Sequence, residues 1–252
     1  MCDNTKVTQH AQIGAHDNTF VGCQNNYGLS VAEATQMAFQ IFQQYYPQLK
    51  QDAINELKEI LENELKKIAP QNIVPPMPRI VVPTLQGASI VDEKSIRELY
   101  AKLLAGAMNA EKKENVHPAY VKIIDEMNAM DAKVFKVICE INDSIPLARI
   151  KFVFDGQYLT HAMPHFYSVC FKGVGDVYEV SRSIENLSRL NLINLFEGTV
   201  NGYDYKQLET EPYVQEKFAA VKKNNQETNF KITIDEYVIQ ENDFGRQFSR
   251  LC

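Results

Sequence analysis

Apolar residues recur at steps of three and four through much of the chain, which is the spacing of one helical face. Ser30 and Glu33 have the pattern of a capping box, and an apolar stripe follows them to about Tyr46. A second stripe begins near Leu49 and ends before Pro70, and its opposite face is charged. Three further stripes predict helices over about 92–108, 120–127 and 131–141.

Residues 70–90 interrupt the helical pattern with five prolines. Proline lacks a backbone N–H and breaks regular helix. The residues between the prolines, such as Ile80 and Leu85, are nevertheless too apolar for a solvated linker. We therefore expect an extended segment that packs against the rest of the protein, and we take it as the best candidate boundary in the chain.

The last third of the chain mixes strand and helix patterns. Asn191 suits the left-handed position that ends a helix, and Asn242 is expected to cap a last short helix. The charged segment 204–228 predicts a loop or a short helix. Apolar runs and stripes predict strands at 150–154, 192–196 and from residue 230, and a helix over 177–190.

The order of these elements predicts a mainly α protein, with a helical body and a smaller α+β, winged-helix-like C-terminal part. Helices followed by strands with a charged insertion are the order of a winged-helix module. We divide the chain into a polar leader (1–28), the helical body (29–142) and the mixed module (143–252).

The leader is rich in Asn and Gln and has no periodic apolar pattern. Residues 7–28 carry a single charge, Asp17. Such composition is typical of segments that stack edge to edge as cross-β structure, and the alternative is a frayed polar terminus. The residues expected to carry self-association are Gln12, Ile13, Gly14, Val21, Gly22, Gln24, Asn25 and Asn26.

Overall composition is that of an ordinary globular chain, with 252 residues, 45% hydrophobic and 23% charged. The net charge of −6 gives no general attraction to nucleic acid or anionic membrane. No apolar run is long enough to span a membrane, and no signal-peptide pattern opens the chain. The five cysteines are scattered without a CxxC pair, which indicates free thiols and a cytoplasmic protein.

Catalytic signatures are missing from the sequence: it has no phosphate-binding glycine loop and no nucleophile-elbow motif. His161 and His165 are four residues apart with Cys170 nearby, but Pro164 interrupts the helix that this metal-ligand spacing requires. We interpret them as ordinary polar histidines, with a metal site as the alternative, and Cys139 as a core residue. The sequence thus predicts no enzyme, no metal and no cofactor.

The charge of the helix over 177–190 bears on nucleic acid as a partner, because this would be the recognition helix of a winged-helix module. Arg182 and Arg189 stand against Asp176, Glu179 and Glu185, which leaves a net negative charge. Phosphate contacts require a basic face. We therefore expect the module to pack against protein, either the N-terminal half of its own chain or another subunit.

Several motifs of the body and the C-terminal part are specific in their order and spacing. They are Pro78-Arg79-Ile80-Val81-Val82-Pro83, Glu98 to Ala105, His117-Pro118-Ala119-Tyr120, Asp131 to Phe135, Leu187 to Ile193 and Phe244 to Phe248. In these motifs the chain resembles the Abi-alpha (abortive infection alpha) family of bacterial proteins over about 75–252, with a divergent stretch at 145–175. That resemblance implies a role in phage resistance and carries over no catalytic residues.

The leader separately resembles bacterial amyloid-signalling motifs, which share a Gln-Ile-Gly core with RHIM-type segments. Gln12-Ile13-Gly14 matches that core, while Ala11 replaces the expected β-branched residue. The resemblance implies that the leader nucleates assembly after infection is sensed.

Together these features predict a cytoplasmic antiphage defence protein that acts by protein–protein interaction or self-assembly. The helical body would dock an unknown protein partner or phage component, and residues 7–28 would associate with other copies. The alternatives are a winged-helix nucleic-acid-binding regulator and a toxin enzyme built on His161, His165 and Cys170.

Overall fold

The structure, a computed structural model, describes residues 28–45, 51–154, 157–224 and 230–252. Helices dominate, and a smaller part combines strands with helices, as predicted. The helices are α1 (Val31–Tyr45), α2 (Gln51–Leu65), α3 (Pro78–Ile90), α4 (Lys94–Ala107), α5 (Ala119–Asp125), α6 (Ala129–Ile141), α7 (Val177–Arg189), α8 (Pro212–Asn224) and α9 (Asp243–Ser249). The strands are β1 (Ile145–Phe154), β2 (Gln157–Tyr167), β3 (Ile193–Glu197) and β4 (Phe230–Glu241).

Local capping residues fix several helix ends where the sequence predicts them. The backbone N–H of Glu33 donates to the Ser30 hydroxyl, and the Glu33 carboxylate accepts from the Ser30 N–H, which completes the expected capping box. Asn191 has a φ of 57°, the left-handed conformation expected after α7. Asn242 accepts from the Gly245 N–H and caps α9. These short-range predictions are confirmed.

The expectation of an extended segment is wrong for residues 78–90, which form α3. Pro78 occupies the first turn, where the missing N–H would have no helical partner. Pro83 lies inside the helix and removes one backbone hydrogen bond. Ile80, Val81 and Leu85 are fully buried, so tertiary packing stabilises a helix that the proline content alone disfavours.

The four strands form one antiparallel sheet in the order β2-β1-β4-β3. β4 is one long strand in the middle of the sheet, and it pairs with β1 from Ile145–Ile239 to Phe154–Phe230. Between β3 and β4 the charged segment forms a 3₁₀ turn, Tyr205–Thr210, followed by α8. The winged-helix assignment stays a prediction.

Side chains of β1 alternate between two apolar cores, as the period of a strand requires. Ile145 and Leu147 belong to the main core, which also includes buried residues of every helix from α1 to α7 and of α9. Ile150 and Phe152 belong to a smaller core, which the 3₁₀ turn and α8 cover with Leu208 and Val214 among other residues. The sheet is therefore covered on both faces.

No helix in the described part of the chain combines the length and apolar character that crossing a bilayer requires.

Candidate functional site

The leader residues predicted to mediate self-association are outside the part of the chain that the structure describes, so their role stays a prediction. They are Gln12, Ile13, Gly14, Val21, Gly22, Gln24, Asn25 and Asn26.

The histidine pair of the sequence lies on β2, a strand rather than a helix. His165 is buried, and its Nε2 lies 3.2 Å from the hydroxyl of Tyr213. Its ring centroid is 4.2 Å from that of Tyr178. Cys170 is half-buried in the 3₁₀ turn that follows β2. Within the described ranges, no group of three or more His, Cys, Asp or Glu side chains is placed to hold a metal ion.

A cavity near His165, which we call the tyrosine cleft, has a volume of about 280 Å³. It lies where the end of β2, the start of α7 and the start of α8 meet. The side chains that give it chemical character are Tyr167, Phe171, Lys172, Glu211 and Tyr213.

Two tyrosines and an ion pair organise this cleft. The rings of Tyr167 and Tyr213 stack with centroids 5.5 Å apart and planes 10° from parallel. The Tyr167 hydroxyl donates to Oε2 of Glu211 at 3.3 Å, and Nζ of Lys172 lies 2.5 Å from the same oxygen. Glu211 therefore holds one tyrosine ring and the loop before α7 in fixed positions.

Burial sets the protonation of the groups around the cleft. It raises the pKa of Tyr167 to about 12, with the Glu211 carboxylate adding to the shift. It also raises the pKa of Tyr213 to about 12, helped by Tyr178 and Asp176. Burial lowers the pKa of His165. At neutral pH the phenols are therefore protonated hydrogen-bond donors and the imidazole is neutral, an arrangement suited to binding planar or amphipathic groups.

Sequence reasoning missed the tyrosine cleft because its parts are distant along the chain and lie in the segments that were hardest to interpret. Tyr167 ends a strand whose sequence shows no clear alternation of apolar and polar residues. Glu211 and Tyr213 lie in the segment expected to be a loop or a short helix. One local signal was available. Pro212 takes the first position of α8, a placement that favours the start of a helix.

The supposed recognition helix, α7, packs against α6 and β2. Arg189 on this helix pairs with Glu126, and Glu185 lies 3.7 Å from Arg149 on β1. Two charged residues of α7, Arg189 and Glu185, therefore lie next to opposite charges on neighbouring elements of the same chain.

A family model described as "Abortive infection alpha" matches residues 49–252. The match confirms the resemblance found in the sequence and includes every element from α2 to α9. A comparison with curated proteins finds no match.

Among solved structures, the chain is similar to an uncharacterized protein from the hydrocarbon-degrading marine bacterium Alcanivorax borkumensis SK2. The two share 12% identity at a TM-score of 0.33, over 56% of this chain and 94% of the other.

Proposed function

The chain belongs to the abortive infection alpha family, and we propose on that premise that it is a cytoplasmic antiphage defence protein that acts through protein–protein contacts. The observation that carries the proposal is the family match over residues 49–252, which includes most of the helical body and the whole mixed module. In this proposal a partner is recognised by the folded part, and the leader brings copies together.

The tyrosine cleft supports partner binding through its chemistry. Tyrosine is enriched at protein interfaces because it combines a large apolar ring with a hydroxyl donor. Tyr178, beside His165, leaves 48% of its surface exposed next to the cleft. Lys172 is also exposed, with 55% of its side chain accessible. An aromatic surface beside a partly exposed lysine that is already paired with Glu211 suits an aromatic segment of a protein partner.

Self-association by the leader is supported by its composition, with one charged residue among positions 7–28. Cross-β stacks form from short uncharged segments because backbone pairing and Asn or Gln ladders repeat in every layer. The leader precedes the residues matched by the family model. We therefore treat it as a separate assembly element added to a family body.

A plaque assay tests the defence role and its two parts. We expect the full chain to protect cells, and I13K/V21K to remove protection by placing charges inside the stack. N4K/T5K adds the same charge outside the motif and should protect as the unmodified chain does. Absence of protection by the full chain would reject the defence role, and full protection by I13K/V21K would reject leader-driven assembly.

Partner recognition at the cleft is tested in the same assay with Y178A. Loss of protection with unchanged thermal stability supports docking there. F196A removes another exposed aromatic ring, on β3, and serves as the matched control. Equal protection by Y178A and the unmodified chain would place partner recognition elsewhere.

The rival function is a nucleic-acid-binding regulator that uses α7. It predicts binding to duplex DNA that weakens steeply with salt, because cation release accompanies phosphate contacts. The engagement of Arg189 by Glu126 weighs against it. Titration of the full chain onto duplex DNA at low and moderate salt distinguishes the two functions.

A toxin enzyme is the less favoured alternative and would use His161, His165 and Cys170. His165 is instead packed beside Tyr178 and Tyr213. Protection that survives H165Q and C170S together would argue against this alternative.

A further inference from the structure

A second cavity, of about 360 Å³, lies in the helical body away from the tyrosine cleft. It runs between α4 and α6, and the C-terminal residues around α9 also line it. We call it the lysine-rimmed groove. Its apolar lining includes Leu99, Met127, Ala132, Phe135, Cys139 and Phe248, and its lysines are Lys102, Lys133 and Lys136.

Helical periodicity places the apolar lining on facing stripes. Ala132, Phe135 and Cys139 follow one another at steps of three and four on α6, and Leu99 lies on α4. Phe135 is buried, whereas Leu99 and Ala132 are only partly buried against the core. An apolar strip is thus left accessible inside a cavity whose volume lies within the range of small-molecule sites.

The charged side chains that line the groove are mostly lysines, although the carboxylates of Glu140 and Glu241 lie beside lining residues. Three ammonium groups and one carboxylate, that of Glu98, line the groove, whereas the chain carries a net charge of −6. Lys102 donates to the carbonyl oxygen of Cys252 at 2.8 Å. Lys133 is exposed, and Lys136 lies 3.7 Å from an exposed Glu140 carboxylate.

We propose that the lysine-rimmed groove binds a free single-chain aliphatic carboxylate of the fatty-acid type. The carboxylate pairs with the ammonium groups of Lys133 and Lys136, and the hydrocarbon tail covers Leu99 and Ala132. The lysines favour an anionic head group. The apolar floor of the groove, formed by Leu99 and Ala132, favours a hydrocarbon tail. This ligand goes beyond the proposed defence role, and its binding does not depend on that role.

The geometry of the cavity indicates whether the ligand is a free fatty acid or a lipid within a membrane. A membrane lipid presents the same chemistry, an anion joined to hydrocarbon. The groove, however, is a cleft between packed helices, and a phospholipid would have to leave the bilayer to fill it. We therefore commit to a free molecule and use vesicles as a separate arm of the test.

Calorimetric titration of the full chain with octanoate tests the site. We expect saturable binding of one octanoate per chain, weaker binding of octan-1-ol and octylammonium, and about hundredfold weaker binding of butyrate, which lacks four methylenes. Equal affinity for octanoate and octan-1-ol, equal affinity for octanoate and butyrate, or no saturable binding would overturn the proposal.

Two variants locate the site. K133Q/K136Q should weaken octanoate binding about fivefold, the effect of losing two exposed charge pairs, and A132F should abolish binding by filling the floor. K122Q/K206Q makes the same change of charge outside the groove and should bind as the unmodified chain does. If A132F fails to fold by circular dichroism, the double lysine variant alone decides. Unchanged affinity in K133Q/K136Q contradicts the proposal.

Sedimentation with phosphatidylglycerol vesicles is the last arm. We expect the full chain to remain in the supernatant. Sedimentation with vesicles that is lost in K133Q/K136Q would assign the lysines to a membrane surface and overturn the proposal for a free ligand.

Discussion

Asn186 on α7 donates its side-chain amide to the carboxylate of Asp131 on α6, with Nδ2 and Oδ2 2.9 Å apart. Asp131 is only 1% exposed. The same carboxylate oxygen accepts from the Asn128 backbone N–H and completes the capping box of α6. Asn186 also donates to the carbonyl oxygen of Glu126. One buried carboxylate thus joins the start of α6 to the helix that packs on it.

We expect Asp131→Ala to lower the free energy of unfolding by about 2 kcal/mol, because it removes a helix cap and leaves the Asn186 amide without one of its acceptors. Urea unfolding measures this loss. Asp92→Ala removes an exposed carboxylate and should change stability by less than about 0.5 kcal/mol. Similar losses in the two variants would contradict the assigned role of Asp131.

Gly87→Ala on α3 should destabilise the protein, although alanine is the better helix former by about 1 kcal/mol. A Cβ at this position would lie 2.5 Å from the Tyr100 hydroxyl oxygen and 2.7 Å from Oδ1 of Asp125. Tyr100 is fully buried and donates to that carboxylate, so its ring has little room to move even though Asp125 is exposed. We expect a net loss of about 1–3 kcal/mol.

Thermal unfolding measures the effect of Gly87→Ala. Arg79→Ala, at an exposed position of the same helix, is the control and should leave the melting temperature nearly unchanged. A melting temperature for Gly87→Ala at or above that of the unmodified chain would show that the Tyr100–Asp125 pair moves aside without loss.

Stability should fall below about pH 6.5 because of His165. Burial lowers the pKa of His165 from its ordinary value of 6.5; the Asp176 carboxylate opposes this shift and Lys217 adds to it. As pH drops, the unfolded chain takes up a proton at this position before the folded protein does. The free energy of unfolding therefore decreases until the pH is below the lowered pKa, where the loss is complete.

His165→Gln should remove this part of the pH dependence, as measured by urea unfolding at several values between about pH 7.5 and 5. His117→Gln replaces an exposed histidine and should keep the slope of the unmodified chain. Identical slopes in the unmodified chain and His165→Gln would contradict the assignment.

Two cysteines should be almost inert in the folded protein. Burial, together with the Glu241 carboxylate, raises the pKa of Cys139 to about 12, and burial raises the pKa of Cys252 to about 12. Because the thiolate is the reactive form, alkylation by iodoacetamide near pH 8 should be about a thousandfold slower than in the unfolded chain.

Mass spectrometry of the alkylated peptides gives the rate for each cysteine. Glu241→Gln removes the carboxylate that accepts from the Cys139 thiol and should speed the reaction of Cys139 without affecting Cys252. Rapid labelling of Cys139 in the folded, unmodified chain would contradict the raised pKa of this thiol.

Short-range signals in the sequence predicted the parts of the fold that depend on them. The turns at Asn191 and Asn242 and the box at Ser30 follow from the residues themselves, because a cap needs only neighbours in sequence. The helix through Pro83 depends on burial against other elements, which no local pattern reveals. The contact between Tyr167 and Glu211 joins segments that are distant in sequence, so no local pattern could predict it either.

The central position of β4 has a consequence for synthesis on the ribosome. β1 and β2 leave the ribosome long before β4, yet β1 pairs with β4 along its whole length. Until residues 230–241 emerge, Ile150 and Phe152 lack the strand that completes their side of the sheet. A nascent or prematurely terminated chain thus has an unpaired edge at β1, to which chaperones or proteases can bind. Only chains translated through β4 acquire the finished fold.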